Sequence, residues 1–104
     1  MILIIIRMNV RAGKRVEMLQ TMTALSGSLR MDKGCHRCDF CHGIEDENSF
    51  FFLEEWDVRE NLMTHLESEH FRVLHGAMHL LEKPYEITFH TVFRSAGMRE
   101  GGEW

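Results

Sequence analysis

Phe50-Phe51-Phe52-Leu53-Glu54-Glu55-Trp56-Asp57-Val58-Arg59-Glu60-Asn61-Leu62-Met63-Thr64-His65-Leu66-Glu67-Ser68-Glu69-His70-Phe71 is the stretch that decides how this chain folds. Its first seven residues form an aromatic and aliphatic run of strand length. Asp57 then stands where an N-cap can accept an orphan backbone N–H, with Glu60 three residues on as in a capping box. Beyond it, Leu62, Leu66, Leu74, Met78 and Leu81 recur near one face of a predicted long helix. A strand therefore delivers Trp56 directly into a helix that carries His65, His70, His75 and His79.

Upstream, Ile2 to Asn9 reads as a strand that is apolar on both faces, so it needs two covers. Gly13 punctuates the turn, and Lys14 to about Arg30 reads as an amphipathic helix with Val16, Leu19, Met22, Ser26 and Leu29 on one side. Cys35 to His42 reads as a second strand, and the polar Glu45-Asp46-Glu47-Asn48 turn closes a hairpin into the Phe50–Trp56 strand. Lys83-Pro84 stops the second helix. Tyr85 to Phe93 alternates as the last strand, and the Gly-rich end from Ser95 to Trp104 reads as a flexible tail after a domain over 1–94. The order β-α-β-β-α-β predicts an α+β, ferredoxin-like fold: an antiparallel sheet with two helices on one face.

The 104 residues suit a single domain, and a chain this short buries only about two-thirds of its unfolded surface, so dimerisation is a natural source of further core. Net charge is −4 with signs interspersed, which argues against a nucleic-acid partner. The run Met1–Ile6 is too short for a membrane span and Arg7 interrupts it, so a cytoplasmic protein with no membrane partner is expected. Three cysteines and eight methionines fit a reducing compartment. No phosphate-binding loop, dinucleotide fingerprint or serine elbow occurs, so no nucleotide or flavin is expected.

Glu55-Trp56 at a strand end, followed by His65-Leu66-x-Ser68-x-His70-Phe71, resembles the antibiotic biosynthesis monooxygenase family, which includes quinol monooxygenases. Arg11-Ala12-Gly13-Lys14 after the first strand, Gly34-Cys35-His36 opening the second and Tyr85-Glu86-Ile87-Thr88-Phe89-His90 in the last fit the same pattern, over roughly residues 1–93. The resemblance implies a homodimer in which the partner's sheet supplies the second cover, a dimeric α/β barrel. It also implies oxidation of a quinol or polyketide-type aromatic by O₂ with no cofactor.

On that reading His65 is the candidate base or orienter, since an imidazole titrates near neutrality, and His70 is the second polar group. Trp56, Phe52 and Phe71 would wall the pocket. The plainer alternative has both histidines packing or capping a helix kink around Ser68, and most of the aromatics serving as core. Haem degradation, found in relatives of this fold, would use His75 as helical ligand. Ile6 and His65, however, stand where those relatives have an asparagine and a tryptophan.

The cluster Cys35-His36-x-Cys38-x-x-Cys41-His42 has half of a metal-site spacing, so Cys35, Cys38 and Cys41 could serve a metal- or ligand-sensing dimer. Strand alternation predicts Cys38 opposite Cys35 and Cys41, which favours small strand hydrophobes over convergent ligands. His75 and His79, four apart, form a second, weaker chelating pair that lacks a neighbouring ligand.

Overall fold

A computed structural model describes residues 1–93 and Gly97. The rest of the 95–104 segment, Trp104 included, lies outside the described residues. Four strands, β1 (Ile2–Asn9), β2 (Cys35–His42), β3 (Ser49–Trp56) and β4 (Glu86–Thr91), form one antiparallel sheet in the order β2-β3-β1-β4. Helices α1 (Arg15–Leu29), α2 (Arg59–Leu66) and α3 (Glu69–Gly76) and a short 3₁₀ turn (Ala77–Leu80) are the other elements among the described residues. The α+β ferredoxin-like architecture is as expected.

Sheet register explains the layering. Ile4, Ile6 and Met8 on β1 and Phe50, Phe52 and Trp56 on β3 point to one face, where they join Met18, Met22, Leu25 and Leu29 of α1, Leu62 of α2 and Leu74 of α3 in a single core. The large side chains among these contribute roughly 1.5–3 kcal/mol each by leaving water. The other face carries Leu3, Ile5, Phe51 and Leu53 at intermediate exposure, with the Arg7 guanidinium 5.5 Å over the Phe51 ring.

Four local expectations need correction. On α1 the inward stripe is Met18, Met22, Leu25, Ser26 and Leu29, whereas Val16 and Leu19 are exposed. Apolar residues lie on several sides of this helix, so spacing alone admitted a rotated solution. The second helix is two helices: Ser68 leaves the helical conformation and accepts the Phe71 N–H at 3.4 Å, capping α3. Val58, not Asp57, is the N-cap of α2, and Glu60 completes no capping box. Asp57 instead accepts from its neighbour Val58 N–H at 2.6 Å and from the Asn61 amide at 3.0 and 3.1 Å. These bonds, Asn61 first, hold its carboxyl below the ordinary 3.8.

The fourth correction is on β2. A β-bulge falls between Cys35 and Arg37, so Cys35 pairs with Trp56 and Cys38 with Glu54. The extra residue shifts the alternation by one. Cys35 and Cys38 therefore share the core-facing side, and Cys41 is the one that points away. Burial first and the Glu54 charge second push the Cys38 thiol up to about 12, and the same two causes raise Cys35. All three cysteines are free, and among the described residues no three His, Cys, Asp or Glu side chains converge as a metal site.

Candidate active site

Glu54 interrupts the apolar row Phe50-Phe52-Glu54-Trp56 on the inner face of β3 and is only 1% exposed. A carboxylate so placed must find donors. The Trp56 indole N–H donates to Glu54 Oε1 at 3.0 Å, and His65 Nε2 lies 3.3 Å from the same oxygen. The His65 ring stacks on Trp56 with centroids 4.5 Å apart and planes 25° apart, and Phe71 meets it edge-on at 6.0 Å.

The opposite nitrogen, His65 Nδ1, lies 3.2 Å from Asp32, and Asp32 lies 3.2 Å from His70 Nδ1 as well. One carboxylate thus bridges two histidines. The turn after α1 supplies it. Gly34 takes φ +87°, a conformation that favours glycine, and its carbonyl accepts the Asp57 N–H at 3.0 Å, tying that turn to the start of α2. Asp32 accepts the Cys35 N–H at 3.1 Å through its own carbonyl, so its side chain is held at the α2–α3 corner.

The break at Ser68 makes the bridge possible. Five residues on a continuous helix differ by about 140° around the axis, so His65 and His70 could not both face one carboxylate. With α2 ending at Leu66 and α3 starting afresh at Glu69, the last turn of one and the first turn of the other converge on Asp32. The exposures grade outward along the chain of contacts: the His65 side chain is 2% exposed, Asp32 23% and His70 34%.

A cavity of about 320 Å³ opens at this corner, lined by Asp32, Lys33, Asn61, Thr64, His65 and Ser68. A second cavity, about 450 Å³ and more apolar, lies on the other flank of α2 between Ile2, Leu62, Met63, Leu66 and Phe89, with Arg59 at its wall.

Against this geometry a family comparison is decisive: a model of the antibiotic biosynthesis monooxygenase family matches residues 1–77, which span β1 through α3. The chain belongs to the antibiotic biosynthesis monooxygenase family. Solved structures agree on the fold. A candidate monooxygenase of this family from Deinococcus radiodurans superposes with a TM-score of 0.86 at 17% identity, covering 95% of this chain and 99% of that one. Another from Nitrosomonas europaea gives 0.85 at 16%, covering 90% and 100%. A Pseudomonas aeruginosa protein gives 0.77 at 25% identity, covering 91% and 94%. A candidate heme-binding protein of Haloquadratum walsbyi is 31% identical over 81 residues, 76% of this chain, and the chain spans only 15% of that relative's length.

Among the site residues read from sequence, His65, His70, Trp56 and Phe71 come together. Phe52 and Trp56 are fully buried and back the site from within the core. His75 is exposed on α3 with its ring edge-on to Tyr85 at 6.4 Å, apart from the others. Sequence reasoning alone misses Asp32 and Glu54. Glu54 had a signal, a carboxylate in the inward phase of an aromatic strand; Asp32 had none, being a loop residue 33 positions from its partner.

No helix among the described residues is long and apolar enough to cross a membrane.

Proposed function

We propose that this protein is a cofactor-independent monooxygenase for a small hydroxylated aromatic, a quinol or related phenol, acting as a cytoplasmic homodimer. The observation that supports it most is the His65–Asp32–His70 bridge beside a polar cavity, in a chain of this family. The substrate supplies the electrons. A hydroquinone and O₂ give a hydroxyquinone and water, so one oxygen atom joins the ring and the other leaves as water, with no external reductant. The protein's part is to take the phenolic proton, leaving the electron pair on a phenolate that can reduce O₂, and to hold the ring in place.

His65 and His70 are the two histidines of the site in this reading. Trp56, Phe52 and Phe71 form the aromatic backing of the site. At about 320 Å³ the cavity stands near the lower end of the ~300–1,000 Å³ typical for small-molecule sites, which favours a one- or two-ring phenol over an extended polyketide. Leu3, Ile5, Phe51 and Leu53 on the open sheet face offer the surface a second subunit would cover.

The heme-binding description of the Haloquadratum relative raises a haem-binding alternative. His75, the candidate ligand, is exposed and is not among the residues lining the apolar cavity, so it is not placed to hold a haem there.

Oxygen consumption by metal-free protein with a panel of reduced quinols and anthrone-like phenols tests the proposal. Uptake above autoxidation with hydroxyquinone as product is expected. Uptake at the autoxidation rate across the panel, or a Soret band on adding haemin with no uptake, would overturn it.

A further inference from the structure

The two histidines at Asp32 are not equivalent. Both ring nitrogens of His65 face carboxylates, Asp32 at 3.2 Å and Glu54 at 3.3 Å. An ionised carboxylate only accepts hydrogen bonds, and a neutral imidazole has one N–H and one lone pair. A neutral ring can therefore donate to only one of the two. Each ring nitrogen of His65 thus has a carboxylate in front of it, and its side chain is almost fully buried.

His70 has the complementary arrangement, on the exposed side of Asp32 and outside the lining of the 320 Å³ cavity. Nδ1 lies 3.2 Å from Asp32, and among the described residues no hydrogen-bond partner reaches Nε2. The ring is about one-third exposed at the start of α3. A carboxylate that holds Nδ1–H leaves the lone pair on Nε2, the arrangement by which an aspartate makes a histidine an outward-facing base.

We propose that His70 Nε2 is the base that takes the substrate's proton, that Asp32 is the positioning residue that fixes its tautomer, and that His65 with Glu54 is a buried brace for Asp32. This deepens the oxygenase reading and rests on it. In the step, the phenolic O–H bond breaks, its proton forms Nε2–H, Nδ1–H stays on Asp32, and the electron pair remains on the phenolate oxygen. O₂ is the oxidant that follows.

The test has a spectroscopic arm and a kinetic arm. Long-range ¹H–¹⁵N spectra of the intact protein at mildly alkaline pH read the ring tautomers. The expected result is a bare Nε2 on His70 that becomes Nε2–H, with bare Nδ1, in Asp32→Asn. Oxygen uptake with methylhydroquinone is expected to fall by about 10²–10⁴-fold in His70→Ala. Added imidazole should restore part of it, which a merely structural role would not allow. His70→Gln serves where the alanine variant loses its fold by circular dichroism, with the same loss expected. Uptake by His70→Ala or His70→Gln at the parent rate, or an Nε2–H tautomer in the parent, refutes the assignment while the oxygenase reading stands. A parent with the expected tautomers but no uptake refutes the oxygenase reading, and the base role with it.

Discussion

His65→Leu should damage the fold before it reports on chemistry. The substitution removes the side chain that stands between Asp32 and Glu54, leaving the fully buried Glu54 with the Trp56 indole N–H as its remaining donor among the described residues. Breaking a buried ionic contact from one side costs about 3–5 kcal/mol. Losing the stacked pair with Trp56, at 4.5 Å between centroids, adds about 0.5–1.5 kcal/mol. Against a total stability of roughly 5–15 kcal/mol for a domain, such a loss leaves a marginal protein. Urea unfolding followed by far-ultraviolet circular dichroism measures it. A double-mutant cycle with Glu54→Gln isolates the cause, because glutamine keeps a carbonyl for the Trp56 N–H but carries no charge. The double variant should be more stable than the sum of the singles predicts, by about 1.5–3 kcal/mol. A cost for His65→Leu under about 1 kcal/mol, or a cycle that is additive within about 0.5 kcal/mol, would refute the reasoning.

Gly34→Ala is expected to lose about 2–4 kcal/mol, because φ is +87° and the new Cβ would stand 2.6 Å from Asn61 Cβ; thermal unfolding that matches the parent would contradict this. Cys38, buried and with its thiol pushed up to about 12, should resist iodoacetamide in the native protein and label only on unfolding, as peptide mapping of pulse-labelled protein would show. Asp57 has a folded-state pKa below its ordinary 3.8, so its stabilising effect is present above that value and lost as pH falls through the lower folded one. The difference in urea midpoint between Asp57→Ala and the parent should therefore hold near neutrality and close in strong acid; a gap that widens there would reverse the sign.

The strand phases were legible because β1 and β3 are densely apolar: Ile4, Ile6 and Met8 against Leu3 and Ile5 divide as alternation requires. The approach of His65 to Trp56 was legible as well, since the strand runs directly into the helix that carries His65. What spacing could not carry was whatever depended on a local break. The bulge reversed the phase of Cys35 against Cys38, and the Ser68 cap divided a periodic run into two helices. Asp32 completes the site from a turn whose position follows from a glycine conformation and one backbone bond to Asp57, information that resides in three dimensions. In α1, apolar residues on several sides left the inward stripe undetermined until the sheet chose Met18 over Val16 and Leu19.

His36 is the surplus residue of the β2 bulge: Cys35 still opposes Trp56, Arg37 opposes Glu55, and pairing is regular from there to His42 opposite Phe50. Removing His36 would therefore leave every later pair with its present partner, and would straighten the strand instead of inverting it. One codon could be lost from this exposed edge without moving Cys38, Phe40 or the site beneath them. A loss anywhere else between Arg37 and His42 would turn part of that strand inside out. Variation in length along this edge has one safe address, and it lies next to the turn that carries Asp32.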